Sequence, residues 1–270
     1  MIALPASERH PCFFAGAKGR HGRIHLPVAA SCNLVCAYCR RDTDCLHESR
    51  PGVSSRVMTP EEASAHLDKA LAAMPYLSVA GVAGPGDPFC DPEPTLTCLE
   101  MISRSHPGLL LCVATNGLNL PIHVPRLAEL GVKHVTLTIN SLKPGMAARL
   151  HLQVKDGKRV LSGPAAGELL IQRQLEALTS LKALGMTVKI NTVLVPGVNQ
   201  EEVVGVARAA AGLGADLMNL IPLIPVAGTP LAGAGPPSQA LIHRLRQEAG
   251  AYLPQMAHCR RCRADAAGLL

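Results

Sequence analysis

The feature that most constrains the fold is a regular alternation of strand-like and helix-like segments along most of the 270-residue chain. Strand-like runs, rich in aliphatic or β-branched residues and followed by turn residues, lie at 23–29, 77–83, 109–115, 134–139, 187–195 and 217–223. Helical patterns lie at about 59–74, 93–104, 171–184, 200–213 and 238–251. Strands that alternate with helices form parallel βαβ units. The sequence therefore predicts an α/β fold, a partial six-stranded (βα)6 barrel.

Composition agrees with that fold and argues against several classes of partner. The chain is 48% hydrophobic but has no Trp, three Tyr and three Phe, so its core must be aliphatic, as in buried parallel strands. The net charge of +6 comes from scattered basic residues without aromatic platforms, which indicates no nucleic-acid partner. No apolar run is long enough to span a membrane. Ten cysteines without an export signal predict a cytoplasmic protein whose thiols serve metals or catalysis.

Three cysteines directly after the first predicted strand carry the strongest chemical signal. Cys32, Cys36 and Cys39 form a C-x3-C-x2-C motif. Three thiolates leave one iron of a four-iron cluster without a protein ligand. That pattern is typical of radical SAM enzymes, in which the open iron chelates S-adenosylmethionine (SAM) and the cluster reduces it to a 5′-deoxyadenosyl radical. Tyr38 occupies the position of the aromatic residue that lies against the adenine in that superfamily.

Polar and small residues follow the later strands and are predicted to contact SAM, because active sites of barrels lie at the carboxyl ends of the strands. Each of them is equally consistent with an ordinary turn. The candidates are Gly84, Gly86, Asp87, Thr115, Asn116, Asn140 and Asn191.

Of the other seven cysteines, Cys45 follows the triad by six residues, and the remaining six fall into two groups. Cys259 and Cys262 form a C-x2-C pair that binds zinc or iron–sulfur clusters only with further ligands from elsewhere in the chain. Lone cysteines are as a rule small buried hydrophobes. This applies to Cys12, Cys90, Cys98 and Cys112 when each is taken alone.

Taken together, the motifs are similar to those of the NifB family, the radical SAM proteins of nitrogenase cofactor assembly. The terminal pattern His-Cys-Arg-Arg-Cys-Arg-Ala-Asp-Ala, which begins at His258, is the most specific of them. The similarity runs from about residue 10 to the end of the chain. The segments that carry it, besides the cysteine triad, are 10–13, 22–29, 45–53, 83–88, 115–118, 191–197 and 258–269.

The resemblance implies a radical SAM enzyme with three [4Fe-4S] clusters. Two of them would be fused, with a carbide from a SAM methyl group and an added sulfur, into the eight-iron precursor of the nitrogenase cofactor. Partners implied are iron–sulfur assembly proteins that donate clusters, carrier or scaffold proteins that receive the product, and an electron donor such as ferredoxin or flavodoxin. The chain ends soon after Cys262, as in the compact form without a carrier-like domain.

The resemblance also implies ligands and a domain plan. Cys12, His25 and Cys112 match the ligands of one auxiliary cluster, and Cys45, Cys259 and Cys262 match those of the other. Glu48 and Arg50 are candidates for handling protons or binding the SAM carboxylate, although an exposed charged turn is the simpler interpretation. Cys90 and Cys98 match no family role. The implied plan is an N-terminal extension (1–22), the barrel (23–254) and a C-terminal cluster-binding tail (255–270), with the extensions over the barrel mouth.

Two alternatives compete with this interpretation. One is a radical SAM enzyme that acts on a peptide or small organic substrate and keeps its auxiliary clusters for electron transfer. The other is a zinc-binding structural protein, although zinc sites require four ligands and the triad offers three. Auxiliary irons that stay in place during turnover would favour the first alternative, whereas irons that leave as one larger cluster would favour cluster fusion.

Overall fold

The computed structural model describes residues 5, 8–41 and 50–270. Two candidate residues, Cys45 and Glu48, lie outside the described residues. The described strands are β1 (Gly22–His25), β2 (Leu34–Cys36), β3 (Leu77–Val82), β4 (Leu110–Thr115), β5 (His134–Thr138), β6 (His151–Asp156), β7 (Arg159–Leu161), β8 (Thr187–Leu194), β9 (Leu217–Pro222) and β10 (Ala267–Gly268). The described α-helices are α1 (Pro60–Ala73), α2 (Pro92–Ser105), α3 (Val124–Glu129), α4 (Pro144–Leu150), α5 (Gly163–Ala183), α6 (Val203–Gly212) and α7 (Gln239–Gly250).

The main sheet has the strand order β10-β1-β3-β4-β5-β8-β9. Strands β1, β3, β4, β5, β8 and β9 are mutually parallel, and β10 joins β1 antiparallel at one edge. The sheet curls into a half-barrel. The predicted α/β partial barrel with six parallel strands is therefore confirmed, and the six predicted strands are these six.

Local sequence signals account for the helix boundaries. Thr59 accepts a hydrogen bond from the Glu62 amide, and the Glu62 carboxylate accepts one from the Thr59 amide, which is a complete capping box for α1. Gly185 follows the last turn of α5 with φ +70°, a conformation that glycine adopts without strain. The predicted bounds of α1 and the predicted end of α5 therefore hold to within a residue or two. However, α5 begins eight residues before the predicted start, and the short helices α3 and α4 were not predicted.

A second sheet, in the order β2-β6-β7, was not predicted. Its buried side chains are Leu34, His151 and Val154, of which only two are apolar, so the apolar periodicity of these strands is weak. The β6–β7 hairpin turns at Gly157, the second residue of an Asp-Gly pair, which is a strong hairpin signal. The prediction of a simple strand–helix alternation was incomplete here, because β2 and β6 pair across more than 110 residues of chain.

The core is aliphatic, as the composition predicts. Phe89 is the one aromatic side chain among the largest fully buried residues of the described chain, and the rest are leucines and isoleucines. Helices α1 and α2 contact each other, as do α4 and α5. No helix among the described residues combines the length and hydropathy that a membrane crossing requires.

The two ends of the chain meet over the cavity side of the sheet. The His258 ring lies 2.8 Å from the Pro11 carbonyl through Nε2, which joins the C-terminal tail to the N-terminal segment. Arg23 of β1 donates to the carbonyl of Gly268 at 2.6 Å. The predicted division at residues 22 and 254 stays a prediction, but both ends contribute to the same site.

Gly167 of α5 offers a test of helix packing. A Cβ at this position would collide with the carbonyl of Pro144 in α4, whereas a Cβ at Gly205 of α6 would meet no atom within 4 Å. We expect Gly167→Ala to lower the free energy of unfolding by about 1–3 kcal/mol through overpacking. Gly205→Ala should raise it by about 0.4–1 kcal/mol, because alanine reduces the entropy of the unfolded chain. Urea denaturation measures both, and equal effects would contradict the α4–α5 packing.

Candidate functional site

One cavity of about 320 Å³ collects most of the predicted site residues. It lies inside the curl of the sheet and is closed in part by both chain ends. The predicted residues that line it are Cys12, His25, Cys32, Cys36, Tyr38, Cys39, Arg50, Gly86, Asp87, Cys112, Thr115, Asn116, Asn191, Cys259 and Cys262. Gly84 and Asn140 do not line it.

The cysteine triad spans a loop, a short strand and a turn. Cys36 ends β2, and the Cys39 amide donates to the Cys36 carbonyl at 3.2 Å, which forms a tight turn between two of the thiols. Burial raises the pKa of Cys32 to about 11 and the pKa of Cys36 well above its ordinary value. The metal-free thiols are therefore protonated, and a positively charged iron centre would displace those protons on binding.

Asp87 connects the ends of β3 and β4. Its carboxylate accepts hydrogen bonds from the Thr115 hydroxyl at 2.9 Å and from the amides of Asn116 and Phe89. Burial raises the pKa of Asp87, although these three donors oppose that rise. Because both carboxylate oxygens of Asp87 accept these hydrogen bonds, the side chain positions the loop that follows β4. A direct contact between Asp87 and SAM stays a prediction.

Asn116 reaches the cysteine triad from that loop. Its side-chain amide lies 3.8 Å from the Cys32 sulfur and donates to Asn33 at 2.7 Å. The Gln174 side chain of α5 donates to the Asn116 carbonyl at 2.9 Å. The polar residue predicted at the end of this strand is therefore held beside Cys32 by a network, as well as forming the turn.

The Asn140 side chain does not line the cavity but contacts residues beside the cysteine triad. Its amide nitrogen donates to the Tyr38 hydroxyl at 2.7 Å and lies 3.4 Å from Nε2 of His151. Both Tyr38 and His151 contact Cys36. The predicted role of Asn140 as a SAM contact stays a prediction, whereas its contact with the neighbours of the triad is a finding.

His25, Gly81 and Cys112 form one row across three strands. In the parallel registers His25 pairs with Gly81, and Gly81 pairs with Cys112. Paired residues of neighbouring strands lie on the same face, so the two ligand candidates are roughly 9–10 Å apart at their backbones. A Cβ on Gly81 would collide with the Cys112 sulfur. The missing side chain of Gly81 therefore lets the Cys112 sulfur lie over the middle strand, on the side of His25.

The His25 ring is oriented for ligation. Its Nδ1 lies 3.1 Å from the carbonyl of Arg263, which can only accept a hydrogen bond. Nδ1 therefore carries the proton, and the lone pair of Nε2 is available for a metal. Burial, with a further contribution from Arg23, lowers the pKa of His25 to about 4. A neutral imidazole with a defined tautomer is the form that binds iron.

Buried cations accompany the auxiliary ligand candidates. Lys189 of β8 is 5% exposed, donates to the Cys12 carbonyl at 3.3 Å, and lies over the Phe13 ring at 4.6 Å. Arg23 donates to the Cys262 sulfur at 2.7 Å. These two cations interact with the Cys12 thiol, as do Cys259 and Cys262. Positive charge in a buried, thiol-rich chamber favours anionic occupants.

The donor sets suit clusters better than single ions. No three His, Cys, Asp or Glu side chains of the described ranges lie close enough together to hold one metal ion. The row across Gly81 is wide, and its soft donors are those of iron–sulfur clusters. The thiols of Cys12 and Cys112 and the imidazole of His25 are donors of the kind that could hold an iron–sulfur cluster.

The remaining candidates differ in their surroundings. Arg50 is buried and donates to the Arg40 carbonyl at 2.9 Å, so it is no exposed turn. Cys90 accepts a hydrogen bond from the Ser31 hydroxyl at 3.3 Å, beside Cys32. Cys98 is buried in α2, where burial raises its pKa to about 12, as for a small hydrophobe. Arg23, His151 and Lys189 were not predicted, because a single buried polar residue in a strand gives no periodic signal. His10 was not predicted either, since it lies in an irregular segment before β1.

Comparison with known proteins identifies relatives of this chain. A model of the radical SAM superfamily matches residues 26–210. The FeMo cofactor biosynthesis protein NifB of Chlorobaculum tepidum is 45% identical over 263 residues, which cover 97% of this chain and 62% of that protein. NifB of Klebsiella pneumoniae is 48% identical over 274 residues, which cover 100% of this chain and 58% of that protein. The predicted resemblance to NifB is confirmed, over about three-fifths of these relatives' length.

A solved structure supports the fold alone. Streptococcus suis SuiB superposes with a TM-score of 0.62 at 15% identity, over 87% of this chain and 48% of that one. At this identity the similarity concerns the curled sheet and its helices and carries nothing about substrate.

Asp265 fastens the C-terminal tail and gives a pH prediction. Its carboxylate accepts from the Arg263 guanidinium at 2.8 Å and from the amide and hydroxyl of Ser55. Burial alone would raise the pKa of Asp265, but these donors outweigh it and hold the pKa well below its ordinary value. A depressed carboxyl pKa stabilises the fold above the unfolded pKa of about 3.9, and this contribution disappears as the pH falls.

We therefore expect Asp265→Asn to lower the free energy of unfolding by a constant amount above about pH 5. The difference from wild type should shrink below about pH 4. Urea denaturation across this pH range measures it. Asp91→Asn is the control, because Asp91 is exposed and its side chain makes no capping hydrogen bond. A difference that persists unchanged at low pH would contradict the assignment.

Proposed function

Because the chain belongs to the radical SAM superfamily, we propose that it is a maturase of the NifB type that builds the eight-iron precursor of the nitrogenase cofactor. The superfamily brings a [4Fe-4S] cluster and SAM, and the chain is a radical SAM enzyme. This membership answers the alternative of a zinc-binding structural protein. The observation that supports the proposal is one cavity lined by the cysteine triad and by the described candidates of both auxiliary groups.

The first part of the proposal concerns the SAM cluster. Cys32, Cys36 and Cys39 would hold it and leave one iron open to SAM. The cluster supplies the electron that cleaves SAM reductively. Asn116 and Tyr38 lie beside the triad and line the cavity, so they are placed to orient the nucleoside. Gly86 keeps that wall close, because a Cβ there would collide with the Ser31 carbonyl.

The second part concerns the substrate clusters. Cys12, His25 and Cys112 would hold one of them, and Cys259 and Cys262, with Cys45, the other. The electrostatic interaction of the Cys12 thiol with both Cys259 and Cys262 supports a short distance between the two groups. Lys189 and Arg23 would offset the negative charge of two clusters that share one chamber.

The chemistry we propose follows the family. A SAM methyl group passes to a sulfide of one substrate cluster, and the deoxyadenosyl radical from a second SAM removes a hydrogen atom from it. The two hydrogens left on the carbon would leave as protons, and the cluster irons, re-reduced by the electron donor, would supply the electrons that break its bond to sulfur. The carbon would then become the central carbide as the two clusters fuse, and an added sulfur would complete the product. Arg50 lines the cavity and is placed to bind an anionic group such as the SAM carboxylate. Glu48, which would handle a proton, lies outside the described residues.

The proposed activity requires other proteins. Iron–sulfur assembly proteins would load the substrate clusters, a ferredoxin or flavodoxin would reduce the SAM cluster, and a carrier or scaffold protein would accept the product. The chain spans about three-fifths of its curated relatives, so the partners of those longer proteins are proposals for this one.

Iron content and EPR test the number of clusters. Anaerobically reconstituted wild type should bind about twelve irons, as three cubanes require, and Cys32→Ala/Cys36→Ala/Cys39→Ala should keep about eight. Only wild type should lose its auxiliary signals when SAM is added, because fusion requires SAM cleavage. A wild type with about four irons would remove the auxiliary assignments. Auxiliary signals that persist through SAM cleavage would favour the alternative in which those clusters transfer electrons.

Gly81→Ala tests the row of His25 and Cys112. A methyl group on residue 81 should displace the Cys112 sulfur and so prevent one auxiliary cluster from binding, and iron should fall from about twelve to about eight. The EPR signal that responds to SAM should remain, which distinguishes this variant from the triple cysteine variant. Gly108→Ala is the matched control, since a Cβ there meets no atom within 4 Å. Full iron content in Gly81→Ala would contradict the assignment of this site.

A further inference from the structure

His151 lies where it can act on the SAM cluster without being a ligand. It begins β6, and the antiparallel register of β2 and β6 pairs it with Cys36. Its Nδ1 is 3.2 Å from the Cys36 sulfur. The side chain is buried, with 4% of the residue exposed. A contact this short, shielded from water, is a hydrogen bond to the thiolate when Nδ1 carries the proton.

The neighbours of the ring decide which nitrogen carries that proton. The side-chain oxygen of Asn140 accepts from the Val193 amide at 2.8 Å, so the other end of that side chain is the amide nitrogen. This nitrogen lies 3.4 Å from His151 Nε2 and can only donate. Nε2 is therefore the acceptor, and Nδ1 bears the hydrogen that points at Cys36.

The same asparagine orients a second donor. Its amide nitrogen donates to the Tyr38 hydroxyl at 2.7 Å. That hydroxyl in turn hydrogen-bonds the Cys36 side chain. Asn140 thus directs two donors, the imidazole and the phenol, to one sulfur. No comparable pair of side-chain donors is described for Cys32, which has the Asn116 amide at 3.8 Å.

We propose that His151 is a positioning residue that donates a hydrogen bond to the Cys36 thiolate and thereby raises the reduction potential of the SAM cluster. Hydrogen bonds to cluster sulfurs stabilise the added negative charge of the reduced state. The imidazole is held in the donating tautomer by Asn140, which is itself fixed by the backbone of β8. The inference rests on Cys36 as a ligand of that cluster and is independent of the fusion of two further clusters.

The test is an EPR-monitored redox titration of the signal that responds to SAM, in the full chain with all clusters loaded. His151→Leu should lower the equilibrium constant for one-electron reduction about tenfold, which is ~59 mV. His151→Asn should restore most of it, because the asparagine amide nitrogen occupies the position of Nδ1. His151→Gln should not, because its amide nitrogen lies near the position of Nε2. His243→Leu, an exposed histidine of α7, should match wild type.

The outcomes separate this inference from the proposed function. If His151→Leu loads its clusters and keeps the wild-type potential, the inference is wrong and the cluster assignment stands. If His151→Leu fails to load iron, the reduction potentials of the SAM cluster in His151→Asn and His151→Gln are compared instead. Equal potentials in these two variants would overturn the inference. If wild type shows no cluster signal that responds to SAM, the proposed function itself is wrong.

Discussion

The parallel alignment of six strands is the constraint on which the rest of the molecule depends. Parallel neighbours keep their registers across the sheet, so residues far apart in sequence form straight rows on one face. The row of His25, Gly81 and Cys112 is one such case, in which the middle strand contributes a gap instead of a side chain. The curl of the sheet then encloses the face that carries the row, and the two chain ends cover it.

Burial of charge and of ligating groups sets the chemistry of the enclosed space. Buried thiols have raised pKa values, and the buried imidazoles of His25 and His151 have pKa values lowered to about 4. A metal-free chamber therefore holds neutral ligands beside the cations of Lys189 and Arg23. Iron bound by these thiols would displace their protons, and an anionic cluster would interact favourably with these cations, so cluster loading would stabilise this region.

Hydrogen bonds among neighbouring polar residues fix the surroundings of the cysteine triad. Asp87 holds the β4 loop through three hydrogen bonds, and Gln174 holds it from α5. Asn140 orients Tyr38 and His151 toward Cys36. Such supporting contacts fix the ligands and tune the metal they bind. The site is therefore built from the ends of several strands, and its geometry depends on these supporting residues as well as on the cysteines.

The sequence by itself determined the α/β class, the six parallel strands and the cysteine triad, because periodicity, caps and ligand spacing are local properties. The candidate ligands Cys12, His25 and Cys112 were predicted only from the resemblance to the NifB family, since each of them is isolated in the chain. Only the tertiary structure revealed the β2-β6-β7 sheet, whose weakly apolar strands pair over a long separation. It alone decided that His151 faces Cys36 and that Gly81 separates His25 from Cys112. Register between distant strands depends on how the whole sheet packs, and no local pattern encodes it.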